Sequence, residues 1–161
     1  MPDYGVVAPG EGSGLLPWSW AADRLRASRD YWVATVWPDG RPHVSPVWGA
    51  WLDDAVWFSA GGRSRKSRNL ARDPRAVITT DNALEPVVVE GRVDRVSDPT
   101  AIRAFADAVN AKYETDFSVD FFAGNACFRL RPVRVFGLTE ADFTGSPTRW
   151  DFGEAGTTTE R

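Results

Sequence analysis

The sequence predicts a mainly β protein, with about six antiparallel strands forming a small closed or split barrel and helices inserted between them. Three observations carry this. Residues 31–37, 42–52 and 55–60 are strand-like and are joined by turns short enough for an antiparallel meander. Strands and helices do not alternate along the chain. No glycine fingerprint follows the first strand, which excludes a doubly wound parallel sheet.

Residues 1–16 are rich in Gly and Pro and lack periodicity, and read as a flexible N-terminal arm. The barrel is expected over residues 17–143. Ser19 is a candidate cap for a short helix that puts Trp18, Ala22 and Leu25 on one face. Pro38-Asp39-Gly40 turns the first strand into the second. In residues 42–52 both alternating faces are largely apolar, so this strand should be buried on both sides, with Pro46 marking an edge or bulge. Asp53-Asp54 turns the chain into residues 55–60. After Gly61-Gly62-Arg63, Ser64 can cap a helix over 65–72 that Asp73-Pro74 ends. Residues 76–80 and 86–96 are further strands. Asp98-Pro99 starts the longest helix, with Ile102, Phe105, Val109 and Tyr113 at helical spacing. The last strand spans 126–138, and its alternation slips by one residue at Pro132, as a bulge requires. A C-terminal tail, 144–161, is polar apart from Trp150 and Phe152 and should lie over the surface.

The chain has 161 residues, 43% of them hydrophobic, and a formal charge of −3. A chain of that length buries enough surface to fold without disulfide or structural metal. One Cys, Cys127, and one His, His43, exclude an internal disulfide and a four-ligand Cys/His zinc site. Neither a signal-peptide pattern nor an apolar run of membrane-spanning length is present, which gives a cytoplasmic expectation. The acidic balance offers no global field for nucleic acid, so an anion must be caught locally. Eight Trp in so small a chain suggest a ligand cleft, an interface, or both.

Arg63, Arg65, Lys66 and Arg68 crowd a helix start, where the helix dipole is already positive. Carboxylates are favoured there, so a cationic start makes sense if an anion sits on it. Gly61 and Gly62 let backbone N–H groups approach that anion, and Ser59 and Ser64 add hydroxyls. The segment reads as a phosphate cradle, although the GxxxxGK[ST] spacing is absent. The alternative is a solvated basic turn. Strand 42–52 is the second candidate, because Pro46 leaves backbone groups unpaired for a planar heterocycle beside Trp48, and plain barrel core is its alternative. No catalytic residue is assigned. His43 is the candidate proton donor, against a structural or merely exposed strand histidine. Cys127 reads as an inert core thiol. Asp53, Asp54, Asp116 and Asp120 read as turn and loop carboxylates, so no metal site is assigned.

The succession Trp32-Val33-Ala34-Thr35-Val36, Pro38-Asp39-Gly40-Arg41-Pro42-His43-Val44-Ser45-Pro46-Val47-Trp48, Val56-Trp57-Phe58-Ser59 and Ser64-Arg65-Lys66-Ser67-Arg68-Asn69-Leu70 resembles the pyridoxamine 5′-phosphate oxidase-like proteins. These are flavin or deazaflavin oxidoreductases on an FMN-binding split β-barrel. More narrowly, the chain looks like their actinobacterial branch that uses the deazaflavin coenzyme F420. The resemblance covers about residues 18–152 and implies a homodimer with two cofactor sites at its interface. It implies that Ser64, Arg65 and Lys66 hold the cofactor phosphate, and that Phe58 and Ser59 line the same pocket. Ser45, Pro46, Val47 and Trp48 would border the cofactor ring, and Trp150, in the ending Thr148-Arg149-Trp150, would close over the substrate. Family members that oxidise pyridoxamine phosphate carry basic residues where this chain has Ser45 and Ala50, and their C-terminal signature is missing here. That oxidation is therefore not expected.

The resulting expectation is an oxidoreductase that uses coenzyme F420, in preference to FMN, for hydride transfer to an unsaturated or quinone-like small molecule. The alternatives are an FMN-dependent oxidoreductase of the same fold and a non-catalytic barrel that carries a flavin or deazaflavin. Neither nucleic acid nor membrane is an expected partner.

Overall fold

The computed structural model describes residues 5–8, 14–153 and 159–160. Of the expected arm, residues 1–4 and 9–13 lie outside the described residues, as do 154–158 and 161 of the expected tail. The elements in order are α1 (Trp18–Ala27), β1 (Asp30–Val36), β2 (Pro42–Leu52), β3 (Ala55–Ala60), α2 (Arg65–Arg72), β4 (Arg75–Thr80), β5 (Val87–Val96), α3 (Pro99–Tyr113), α4 (Val119–Ala123), β6 (Ala126–Gly137), β7 (Thr148–Asp151) and β8 (Thr159–Glu160). All strand pairings are antiparallel, in the order β3-β2-β1-β4-β5-β6-β7-β8.

The expected fold class, a homodimeric split β-barrel, is corrected by this topology in its barrel, which is closed; the pairings all lie within one chain and do not bear on the homodimer. β3 also pairs with β6, from Val56 opposite Leu130 to Ala60 opposite Ala126, so six strands close into a ring within one chain. Closure removes the two open edges that β3 and β6 would otherwise present. Four helices are inserted, and β7 and β8 run on from β6.

Strand alternation builds two cores on the two sides of the barrel wall. In β3, Val56 and Phe58 point into the barrel beside Tyr31, Val33, Ile78, Val89 and Leu130. Ala55 and Trp57 point outward, under Phe105, Val109, Tyr113 and Phe122 of α3 and α4. Positions 102, 105, 109 and 113 recur every three or four residues, which is why one face of α3 is buried. The β2–β3 turn places Asp53 and Asp54 both at positive φ, as a tight hairpin of this length requires.

The bulge in β6 lies beside Pro132, since Glu90 faces Arg134 while Gly91 faces Pro132, leaving Val133 as the extra residue. Gly91 is required there, because a Cβ would come within 2.2 Å of the Arg131 carbonyl oxygen. Two local readings differ from expectation. α1 is preceded by Pro17 at its N-cap, and Ser19 lies inside the helix. Residues 148–151 form a paired strand, with Trp150 only 1% exposed against Trp18. Among the described residues, no helix is long and apolar enough to cross a membrane, and no group of three or more His, Cys, Asp or Glu is placed to hold a metal ion.

Candidate functional site

The start of α2 is built by hydroxyls that fold the preceding loop back on itself. The Ser67 N–H donates to Ser64 Oγ at 3.3 Å, the two serine hydroxyls lie 2.9 Å apart, and Ser67 Oγ donates to the Gly61 carbonyl at 2.9 Å. Ser64 thus caps the helix as its type predicts. The Arg65 guanidinium stacks 3.6 Å from the Trp37 ring centroid, and Arg41 approaches the same ring at 4.6 Å. Arg72 also donates to the Trp37 carbonyl.

No acidic residue lies in the first turn, and Arg63, Arg65, Lys66 and Arg68 form no ion pair among the described residues. The nearby carboxylates are already engaged, Asp39 by Arg41 and Asp73 by Arg75. Loss of solvent, then the neighbouring Arg68 and Arg41, holds Arg65 below its ordinary pKa, and burial lowers that of Lys66. A dianionic phosphate would relieve both. Its donors would be two side-chain cations and the free N–H groups of an eight-residue helix, so the residues present fit a phosphate-bearing cofactor.

The other candidate residues divide between the two faces of the wall. Ser45 and Val47 alternate with Val44, Pro46 and Trp48 along β2, so the first pair shares the inner side and the second set is exposed. Phe58 is fully buried inside the barrel, stacked on Phe128, whereas Ser59 faces outward with Trp48. Pro46, Trp48 and Ser59 are therefore brought to one outer surface, and Phe58 and Val47 are kept from it. The Ser45 hydroxyl is buried without a hydrogen-bond partner among the described residues, and so is Asn69 Oδ1 of α2. Asn69 Nδ2 donates to Thr35 Oγ1 at 3.0 Å, and His43 Nδ1 lies 3.4 Å from the same hydroxyl. His43 is thus half-buried beneath α2, tied to Thr35. Cys127 is buried and donates to the Phe122 carbonyl, and burial pushes its thiol pKa up, as an inert core thiol requires. Trp150 sits in the inner core.

Two residues that the sequence offered only as helix face or surface hold Trp48 in place. The Tyr113 ring stacks on Trp48, centroids 4.2 Å apart and 6° from parallel. The Tyr113 hydroxyl accepts from the Gly49 N–H at 3.0 Å and donates to the Arg29 carbonyl. Lys112 Nζ donates to the Gly49 carbonyl at 2.7 Å, so both backbone groups beside Trp48 are fixed by the end of α3. Gly49 allows this, since a Cβ there would meet the Trp57 carbonyl oxygen at 2.5 Å.

Burial lowers the pKa of Lys112 from 10.5 to about 8. From about pH 8 to 10.5 the unfolded chain keeps a proton that the folded chain has lost, so stability should rise with pH across that window. Burial pushes up the Cys127 thiol, which opposes the rise above pH 9.0, and also Tyr31 and Tyr113, the latter from 10.0 to about 12, which oppose it above pH 10.0, so the rise belongs to the lower part of the window. Denaturant titrations from neutral pH upward should show the rise, and Lys112→Met should remove it.

Residues 21–139 match the family described as pyridoxamine 5′-phosphate oxidase. No curated protein matches the chain. Among solved structures it is similar to the conserved hypothetical protein Rv2991 from Mycobacterium tuberculosis, with 25% identity, a TM-score of 0.72, and coverage of 79% of this chain and 87% of that one. It is also similar to a protein described as an F420 reductase, at 28% identity and a TM-score of 0.58, over 70% of this chain and 93% of that one. A pyridoxamine 5′-phosphate oxidase-related, FMN-binding protein from Nostoc punctiforme PCC 73102 shares the fold at 20% identity, with a TM-score of 0.65 over 98% of this chain and 97% of that one. Because the family match runs from α1 past β6 and so takes in the whole closed ring and the α2 cation cluster, the chain belongs to the pyridoxamine 5′-phosphate oxidase family, whose flavin- or deazaflavin-binding, oxidoreductase-like character its fold is consistent with.

Proposed function

We propose that the protein is an oxidoreductase that holds coenzyme F420, in preference to FMN, and uses it for hydride transfer to an unsaturated or quinone-like small molecule. The observation that carries the reading is the unpaired cation cluster at the start of α2, with Ser64, Arg65 and Lys66 as the phosphate-holding residues. When bound, such a cofactor supplies the hydride, and the chain's task is to hold, orient and shield it. Ser59, Pro46 and Trp48 are the outer-face residues offered to its ring, and His43 is the candidate proton donor.

The preference for the deazaflavin draws on Ser45 and Ala50. Ala50 is 5% exposed beneath α3, and neither it nor Ser45 supplies a cation that would grip a flavin. The similarity to a protein described as an F420 reductase points the same way. Parallel titrations with FMN and F420, read by Trp fluorescence, test this reading. Tight binding of F420 alone is the expected result; preference for FMN would transfer the reading to flavin chemistry, and binding of neither would end it. Tight binding with no turnover of any unsaturated acceptor would instead identify a carrier.

A second copy of the chain is proposed to complete each cofactor site. Among the described residues, the outer face of β1 and β2 exposes Trp32 at 46%, Val44 at 55% and Trp48, which Tyr113 covers on one side, at 46%, an apolar surface beside the candidate site. Sedimentation equilibrium should give twice the chain mass, and Trp32→Asp should return it to the monomer while lowering cofactor affinity.

A further inference from the structure

Between the outer face of the barrel and helices α3 and α4 lies a small aromatic cavity of about 180 Å³. Phe105, Val109 and Phe122, each no more than 2% exposed, make its floor. Phe117 and Phe121, stacked 4.7 Å apart and 39% and 47% exposed, stand at its mouth with Trp48. Among the described residues, Ser59 is the only hydroxyl-bearing one in the lining. From this arrangement we infer that the cavity is the acceptor pocket, and that it takes a single six-membered conjugated or aromatic ring carrying a carbonyl.

Size sets the first part of the inference. An apolar cavity of about 150 Å³ stays dry and holds benzene. A cavity slightly larger, walled by four phenylalanines and an indole, takes one ring with a one- or two-atom substituent and excludes a fused polycycle. Chemistry sets the second part. A lone hydroxyl in an otherwise apolar lining fixes orientation by one hydrogen bond, and a serine O–H aimed at a ligand without donors requires an acceptor oxygen. The cavity contains no cation or carboxylate, so a phosphorylated or charged acceptor is disfavoured there.

Position sets the third. Trp48 and Ser59 are shared between this cavity and the surface proposed for the cofactor ring, so a ring seated here lies against the cofactor. The stack of Trp48 on Tyr113, with the Gly49 backbone fixed by Tyr113 and Lys112, holds the shared wall rigid. This last step rests on the proposed function above; the cavity and its ligand class do not.

The test is a titration of the full chain with acetophenone and with toluene, followed by the Val109 methyl and Trp48 indole N–H resonances. Saturable shifts at both sites are expected, with acetophenone roughly fivefold tighter than toluene for its one extra hydrogen bond. Ser59→Ala should abolish that advantage and leave toluene unchanged. Val109→Phe fills the floor and should weaken both probes by about tenfold or more. If that variant does not fold, Phe121→Ala, at an exposed position, should weaken both by removing one wall. Absence of saturable shifts at Val109, or binding that none of these substitutions alters, overturns the inference. The same samples are titrated with F420 and FMN: acetophenone binding without cofactor binding leaves the pocket standing and removes the proposed function, and cofactor binding without acetophenone binding does the reverse.

Discussion

Replacing Arg65 and Lys66 together by Ala is expected to weaken cofactor binding about a hundredfold, with each single change costing about tenfold. A charge-assisted hydrogen bond to phosphate contributes about 1.5–3 kcal/mol, and the two cations flank the same helix start. Neither has a carboxylate to fall back on, so the free protein gains no ion pair by keeping them. The fold should tolerate the change. Arg65 contributes only a surface stack on Trp37, and Lys66 forms no ion pair among the described residues. Two companions separate charge from geometry. Arg65→Lys retains the charge but loses the planar fork and the Trp37 stack, so it should recover only part of the affinity. Ser64→Ala removes the cap of α2 and should lower stability by about 1 kcal/mol as well as affinity. The affinity lost in the double variant should shrink as salt is raised, because the site is partly solvent-facing. Equal affinity of the double variant and the parent would refute the cradle outright.

The cation cluster and the cap at the start of α2 were legible in the sequence because their signal is local. Four cations and a capping serine within six residues, 63–68, declare their chemistry without tertiary information, and α2 and α3 begin with the caps, Ser64 and Asp98, that their sequences offer. The meander was equally legible, since alternation and short turns are local too. Closure of the barrel was not. It depends on β3 meeting β6 some seventy residues later, and neither strand carries a mark of its partner. The mounting of Trp48 was hidden for a related reason. Tyr113 fits the helix periodicity as one more apolar position, and only the fold brings its hydroxyl to Gly49 and its ring to Trp48. The bulge was found through its slip in alternation, yet Gly91, the residue on the other strand that makes it possible, carried no signal. Phe117, Phe121 and Phe122 sit in and beside a helix of five residues, too short for periodicity to reveal.

Trp150→Ala is expected to destabilise the fold by about 3–5 kcal/mol, a large share of the roughly 5–15 kcal/mol that holds a domain of this size. The sequence resemblance gives this residue a different task, closing over the substrate, and the two roles predict different measurements. In the structure Trp150 pairs with Val135 in the β6–β7 ladder and is 1% exposed. Its ring meets Trp18 edge-on at 5.7 Å, and it lies against Gly137, where a Cβ would come 3.3 Å from the indole. Removing so large a ring from a packed site leaves a cavity that β6, tied into the closed ring, cannot collapse to fill. The indole Nε1 is buried without a partner among the described residues, so Trp150→Phe removes such a donor as well as volume and should cost much less than Ala. A structural role lowers the denaturation midpoint in both variants, Ala far more than Phe, with substrate KM unchanged wherever the chain remains folded. A closing role would leave the midpoint unmoved and raise KM in both. Trp18→Ala provides the cross-check, since Trp18 also packs on Trp51 and Phe152 and its loss should not add to that of Trp150.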